Sequence, residues 1–259
     1  MFLQEIKTIL TNKLCPKIFK LNSEIYGLHY HKGRTNKLIK KVMLTIDLSI
    51  EAIHFAIKNK INLIISHHSL INKLSLLSKY PISIFVLNSS FIASEGGISD
   101  TIVNILYLKV EGTFEIKNNF ESKIPIGRIC SPINYLNRNN PFTLEDLIER
   151  IRTNLDLKYI VYVGELTNII KRICIIGGDI SKAEYIKKAI NIGCDCYISG
   201  KIDYNDAIFA RDMGINLIEV SHYKTEILAM KKLNNLLSLE FPEIEFLLFE
   251  SKDPFKTYI

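Results

Sequence analysis

The sequence lacks several features that assign a chain to a familiar class. No apolar run among its 259 residues approaches the roughly 18 residues of a membrane-spanning helix. Neither a GxGxxG dinucleotide fingerprint nor the lysine of a Walker loop is present. The opening residues, MFLQEIK, carry an acid early and offer no small-residue cleavage site. We therefore expect a first helix there, not a signal peptide, and no membrane partner.

Paired cysteines are also lacking. The five cysteines are an odd number. Cys194 and Cys196 are separated by a single residue, which matches no common zinc or redox spacing. Buried, reduced thiols in a cytoplasmic protein are therefore expected.

Positive charge is present but scattered. The formal net charge is +6, and the short basic clusters at 37–41 and 187–188 are typical of ordinary helix or strand flanks. A nucleic-acid footprint needs basic residues clustered on one face. The charge alone therefore gives only weak support to nucleic acid as a partner.

Strand and helix patterns alternate along the chain. Residues 41–46 have the pattern of a strand, a helix capped by Ser49 or Asp47 follows, and the next strand runs to His67. This order predicts a parallel βαβ unit, with functional groups at the carboxyl ends of its strands. A second series of the same kind occupies residues 159–198. We predict an α/β fold of two interlocked lobes built from mainly parallel strand–helix units.

The domain limits follow from composition. Residues 113–140 are rich in Asn, Lys and Pro and are predicted to mark the boundary between lobes. We predict a metal-site lobe formed by residues 1–120 and 215–259, with a second α/β lobe, residues 121–214, inserted into it.

Two adjacent histidines, His67 and His68, follow the apolar run 61–66 (INLIIS). Imidazoles at the end of a buried strand cost desolvation free energy unless they meet a metal, a carboxylate or water. Successive strand side chains point to opposite faces, so both rings serve one site only if the chain has turned out of the sheet. The pair therefore predicts a site whose other groups come from elsewhere.

A second apolar run, 215–220 (INLIEV), leads into the sequence SHYKTE at 221–226. Helical apolar spacing follows this sequence. A helix that begins near His222 places His222 and Glu226 one turn apart on one face. An imidazole and a carboxylate in this arrangement suit zinc, iron or manganese.

The candidate metal ligands are thus His67, His68, His222 and Glu226. Simpler interpretations stay open, because the histidines also fit a hydrogen-bonded structural pair and the helical pair fits an ordinary surface contact.

A glycine turn, Gly177–Ser181 (GGDIS), lies between a predicted strand and a predicted helix. A tight turn into a helix capped by Ser181 is one interpretation, and contact with a substrate is the other.

Five short motifs occur along the chain. They are IISHHSLI (64–71), IGRI (126–129), RICIIGG (172–178), GCDCYISG (193–200) and SHYKTE (221–226). In this order they resemble the GTP cyclohydrolase 1 type 2 homologue family, also described as the family of the NGG-interacting factor. The resemblance covers nearly the whole chain.

The resemblance implies a two-lobed α/β protein with a metal site, often dinuclear, between the lobes. It also implies a toroidal homohexamer with its sites facing an internal cavity. It places His67, His68, His222 and Glu226 at ligand positions, and so implies one or two divalent ions per chain.

The sequence departs from the family at two positions. The family has a metal-bridging Asp about where Ile92 stands in this chain, and Glu95 is out of register as a substitute. Lys201 stands where the family has an acid. Without a bridging carboxylate, a dinuclear site should lose affinity for at least one metal.

Two functions from different classes follow. The first is a metal-dependent hydrolase acting on GTP or another nucleotide, including a damaged one, with no separate general base evident. The second is a non-catalytic, metal-binding hexameric ring or scaffold with DNA among its candidate partners. A metal carrier is a third possibility.

Overall fold

A computed structural model describes residues 2–21, 24–31, 38–69, 77–118, 121–133, 141–180 and 182–256. The predicted α/β class is confirmed, because strands and helices alternate through the described chain and the strands form two sheets.

Eleven strands lie in the described residues. They are β1 (Gly27–His31), β2 (Lys41–Thr45), β3 (Leu63–Ser66), β4 (Ser83–Val86), β5 (Leu108–Lys117), β6 (Lys123–Pro132), β7 (Val161–Val163), β8 (Ile173–Ile176), β9 (Cys196–Ser199), β10 (Asn216–Glu219) and β11 (Glu245–Phe249).

Eight α-helices accompany these strands in the same residues. They are α1 (Leu3–Ile9), α2 (Ile50–Lys58), α3 (Ser89–Ala93), α4 (Ile98–Ile105), α5 (Leu144–Asn154), α6 (Ala183–Asn191), α7 (Tyr204–Met213) and α8 (His222–Glu240). None of the helices in these described stretches has the length and apolar character that crossing a membrane requires.

The chain folds into two compact units. The first unit contains Met1–Phe91 and Ile227–Ile259, and the second contains Ile92–Glu226. The predicted lobes, residues 1–120 with 215–259 and residues 121–214, stay a prediction.

The sheet of the first unit has the strand order β1-β4-β3-β2-β11. Strands β11, β2, β3 and β4 run parallel, and β1 is antiparallel at one edge. The side chains of β3 and β4 are buried throughout, as expected for parallel strands covered on both faces. The predicted βαβ unit is confirmed as β2, α2 and β3.

Helix α2 packs on this sheet through a small-residue face. Ser49 Oγ accepts a hydrogen bond from the Ala52 N–H at 3.1 Å, so Ser49, not Asp47, caps the helix. Ala52 and Ala56 are buried in one core cluster with Met43 and Ile64 of the sheet. The cap and the apolar spacing together fix where α2 begins and which face it buries.

The sheet of the second unit has the order β5-β6-β8-β9-β10-β7. Its centre, β8, β9 and β10, is parallel, whereas β5, β6 and β7 join by antiparallel pairing. This sheet is therefore mixed, while the first is mainly parallel.

Residues 113–140 contain strand structure where composition predicted a boundary between lobes. Their described part holds the end of β5 and all of β6 within one antiparallel hairpin, paired from Leu108↔Pro132 to Lys117↔Lys123. Charged residues are tolerated there because β5 is an edge strand with much of its length exposed.

Helix α8 begins at His222, which meets the condition for His222 and Glu226 to lie one turn apart. Its buried face includes Met230, Leu233 and Leu237, which recur at helical spacing. Glu226 stands one turn before Met230 on the same buried face. A carboxylate therefore begins an otherwise apolar stripe, which marks it for a role other than packing.

Candidate metal site

His67 and His68 lie where β3 ends at Ser66. Their backbone N–H groups donate to the carbonyls of Thr45 and Ile46 at 3.0 and 2.8 Å, so the end of β2 fixes their positions. The chain bends at these residues, and the two ring centroids are 4.4 Å apart. The expectation that the chain turns and brings both rings to one small volume is therefore confirmed.

Asp47 orients His68. Its Oδ1 lies 2.8 Å from Nδ1 of the imidazole. An ionised carboxylate only accepts hydrogen bonds, so Nδ1 donates and the metal-ligand atom proposed for this ring is Nε2. Pairs of this kind fix the orientation of metal-binding histidines and raise their basicity. The sequence offered Asp47 as a helix cap, whereas its contact with His68 favours a role in the chemistry of the site.

Glu226 is fully buried, at 0 % exposure. Its Oε1 lies 2.9 Å from Nε2 of His222, the residue one helical turn earlier. The His222 side chain is 30 % exposed, so it stands toward solvent relative to the carboxylate. Burying a carboxylate costs several kcal/mol unless positive charge or hydrogen-bond donors compensate.

Three of the four predicted ligands come together. Ligand atoms of His67, His68 and Glu226 all lie within 4.8 Å of one another, and this is the one such His/Cys/Asp/Glu group among the described residues. The fourth, His222, is not in the group and contacts the carboxylate of Glu226 instead. Metal ligation by the four residues, at a site between two lobes, stays a prediction.

A glycine, Gly178, lies close to Glu226. Gly178 has a φ of +74°, a left-handed conformation that favours glycine. A Cβ there would lie 3.0 Å from Cδ1 of Ile92 and 3.7 Å from Oε1 of Glu226. The predicted tight turn is therefore confirmed, while substrate contact by it stays a prediction and the proposed cap Ser181 lies outside the described residues.

A second glycine, Gly200, brings the loop after β9 close to Gly178 and His222. Gly200 donates its N–H to the Gly178 carbonyl at 3.0 Å. A Cβ at Gly200 would stand 2.6 Å from that carbonyl oxygen and 3.3 Å from Cα of His222. Only glycine fits this close approach.

The structure shows what surrounds Ile92 and Lys201, the two residues that depart from the family pattern. Ile92 is buried in α3, with its terminal methyl group beside Gly178, so an apolar group stands near Glu226. Glu95 is exposed and does not join the group. Lys201 follows Gly200 directly, and its Nζ pairs with Asp203 Oδ1 at 3.5 Å.

The cysteines do not contribute to the group in the described part of the chain. All five are buried free thiols, as predicted. Burial raises the pKa of Cys194 to about 11 and that of Cys130 to about 12. At neutral pH they are therefore protonated, and a protonated thiol is neither a metal ligand nor a nucleophile.

The fold and this group together define an α/β protein with two sheets and a buried histidine–glutamate cluster. The chain belongs to the Duf34/NIF3 (NGG1p interacting factor 3) family, whose sequence model matches residues 1–254. The expected family resemblance is thereby confirmed.

Two clostridial relatives carry the name GTP cyclohydrolase 1 type 2 homolog. The protein from Clostridium perfringens is 27 % identical over 240 residues, covering 86 % of this chain and 88 % of its own length. The protein from Clostridium acetobutylicum is 26 % identical over 223 residues, covering 79 % and 80 %.

Solved structures have the same fold at low identity. Staphylococcus aureus hypothetical protein SA1388 superposes with a TM-score of 0.80 at 22 % identity, covering 100 % of this chain and 99 % of that one. Reduced HcgD from Methanocaldococcus jannaschii has a TM-score of 0.78 at 20 % identity, covering 97 % and 98 %. At these identities the likeness establishes the fold alone.

Proposed function

We propose that this protein is a metal-dependent hydrolase that acts on GTP or another nucleotide, including a damaged one. The observation that carries the proposal is the convergence of His67, His68 and Glu226 within 4.8 Å. The curated relatives' name, GTP cyclohydrolase 1 type 2 homolog, supports the substrate class.

The donor set fits a divalent cation. Two imidazole nitrogens and one carboxylate oxygen suit zinc, iron or manganese. Three protein ligands with an open fourth position are the pattern of catalytic sites, whereas structural zinc sites close all four. The complete burial of Glu226 also favours a cation, because positive charge offsets its desolvation.

The chain's own residues have distinct parts in this proposal. Asp47 holds the His68 ring through Nδ1, and His222 Nε2 lies 2.9 Å from Glu226 Oε1, so the two side chains are in contact. When bound, a divalent cation supplies Lewis acidity that lowers the pKa of a water molecule toward neutrality. Buried apolar groups such as Ile92 exclude bulk water and so strengthen these electrostatic interactions.

We propose one metal ion per chain. Glu226 is the one carboxylate in the described group, and the Ile92 methyl group and Glu226 Oε1 both lie close to Gly178. Two adjacent divalent cations repel each other strongly unless carboxylates lie between them. With neutral histidines, a single carboxylate leaves most of that charge uncompensated.

The experiment measures metal content and turnover on the same samples. Purified protein is loaded with zinc, manganese or iron, its metal is quantified by elemental analysis, and GTP is followed by chromatography. Bound metal with GTP consumption, both lost in Glu226→Ala, is the expected result. Metal retention without turnover under any metal would refute the hydrolase proposal.

A non-catalytic metal-binding scaffold is the second candidate. Lys201 in place of an acid favours it, since that change removes a carboxylate from the surroundings of His222. On this proposal the protein is a cytoplasmic toroidal homohexamer, with DNA among its partners. Light scattering tests the hexamer, and saturable DNA binding without nucleotide turnover is the outcome that would favour the scaffold over the hydrolase.

A further inference from the structure

The loop after β9 lies beside His222. Gly200 closely approaches both the Gly178 carbonyl and Cα of His222. Lys201 begins about 3.8 Å further along the chain, the distance between consecutive Cα atoms. A lysine side chain reaches well beyond that distance, so its ammonium group has access to the space next to His222.

The loop is held in place by its backbone. The Ile202 N–H donates to Glu219 Oε2 at 2.9 Å, and the Val220 N–H donates to the Ser199 carbonyl at 2.9 Å. Together with the Gly200 hydrogen bond, these bonds tie both ends of the loop to the sheet. A preorganised loop loses little conformational entropy when a ligand binds.

Lys201 is available for a stronger partner. Its side chain is 60 % exposed and its ion pair with Asp203 is 3.5 Å long. Exposed pairs of this length contribute little stability, so exchanging Asp203 for a more highly charged anion is easy. A phosphate chain supplies more charge and more acceptor oxygens than one carboxylate does.

An aromatic ring stands close by in sequence. Tyr204, the first residue of α7, is 79 % exposed, the most exposed large apolar or aromatic side chain described in residues 92–226. An exposed ring at a helix start is suited to stacking on a flat heterocycle.

We propose that this loop is the nucleotide-binding element of the candidate metal site, with Lys201 binding the phosphate chain and Tyr204 stacking on the base. The inference rests on the proposed function, because it places the ligand of the metal group. It adds the residues of this chain that would select a nucleotide in preference to a free base or nucleoside.

The test compares three probes by calorimetry on metal-loaded protein: GTP, guanosine and tripolyphosphate. Lys201→Gln should weaken GTP and tripolyphosphate binding by roughly tenfold and leave guanosine binding unchanged. Tyr204→Ala should weaken GTP and guanosine binding by about tenfold and spare tripolyphosphate. The matched controls are Lys187→Gln and Tyr159→Ala, which remove the same groups from exposed positions outside the loop.

The outcomes distinguish a failure of this inference from a failure of the proposed function. If Lys201→Gln and Lys187→Gln affect GTP equally, or if the wild type binds neither GTP nor tripolyphosphate, the inference is wrong even when metal is bound. Elemental analysis of the same samples reports on the metal site separately. If no metal binds to the wild type, the proposed function fails and this inference fails with it.

Discussion

The hydrogen bond between Asp47 and His68 provides the most direct test of the metal site. Asp47→Ala removes the acceptor from Nδ1 of His68, now 2.8 Å away. Asp47→Asn keeps an acceptor oxygen but removes the negative charge. Neither change touches a proposed metal ligand, so both test whether the orientation of His68 serves metal binding.

The expected magnitude follows from the geometry. Loss of a carboxylate that orients a metal-binding histidine lowers metal affinity by about 10- to 100-fold, which is roughly 1.4–2.7 kcal/mol. The Asp47 side chain is 52 % exposed, and solvent screening places Asp47→Ala at the lower end, about tenfold. Asp47→Asn should lose about threefold, because a neutral acceptor makes a bond about half as strong.

The assay is a competition titration of the purified protein against a chromophoric zinc chelator. Glu51→Gln is the control, since Glu51 is an exposed carboxylate in the first turn of α2. Thermal unfolding of the metal-free proteins checks that the variants fold. Equal zinc affinity of the wild type and a folded Asp47→Ala variant would refute a metal-orienting role for Asp47.

Three further predictions concern the same molecule. Glu226→Ala should remove metal binding, so that a chelator lowers the unfolding temperature of the wild type but not of the variant. When metal is present at 100 times its Kd, removing it should lower the wild-type free energy of unfolding by about 2.7 kcal/mol. Ile92→Asp should raise bound manganese from about one toward two ions per chain, detectable as spin coupling, because a second carboxylate then stands beside Glu226; an unchanged metal count would contradict this account of Ile92. The pKa of the Cys194 thiol is raised by burial from 9.0 to about 11, so the contribution of this thiol to the free energy of unfolding should be constant below about pH 8 and fall between pH 9 and 11 by about 1.4 kcal/mol per pH unit. Urea titrations of the wild type and of Cys194→Ala across this range measure that contribution as the difference between their two slopes with pH.

Much of the fold is predictable because its signals are local. The continuous apolar runs of β2 and β3 indicate buried parallel strands, and Ser49 is a common type of helix cap. By contrast, the hairpin of β5 and β6 was obscured because an edge strand carries polar residues on its exposed side. Composition there resembled a linker, although backbone pairing decides the structure.

Some features of the candidate site were likewise predictable from the sequence, and others were not. His222 and Glu226 were predictable as a pair, because i, i+4 spacing places side chains on one face of a helix. The convergence of Glu226 with His67 and His68 was suggested by chemistry and by the family resemblance, not by spacing. The role of Asp47 was missed in part, since its position at a strand end fits a cap as well as a ligand partner.

The sequence by itself determined the α/β class, the histidine pair at a strand end and the helical His222–Glu226 pair. These depend on periodicity and on residue type, which are written along the chain. The tertiary structure decided that Asp47 holds His68, that Ile92 stands beside Gly178, and that Gly200 lies against Gly178 and His222. Proximities of this kind depend on which strand ends lie side by side and on a few ångströms of packing, and no local pattern encodes either.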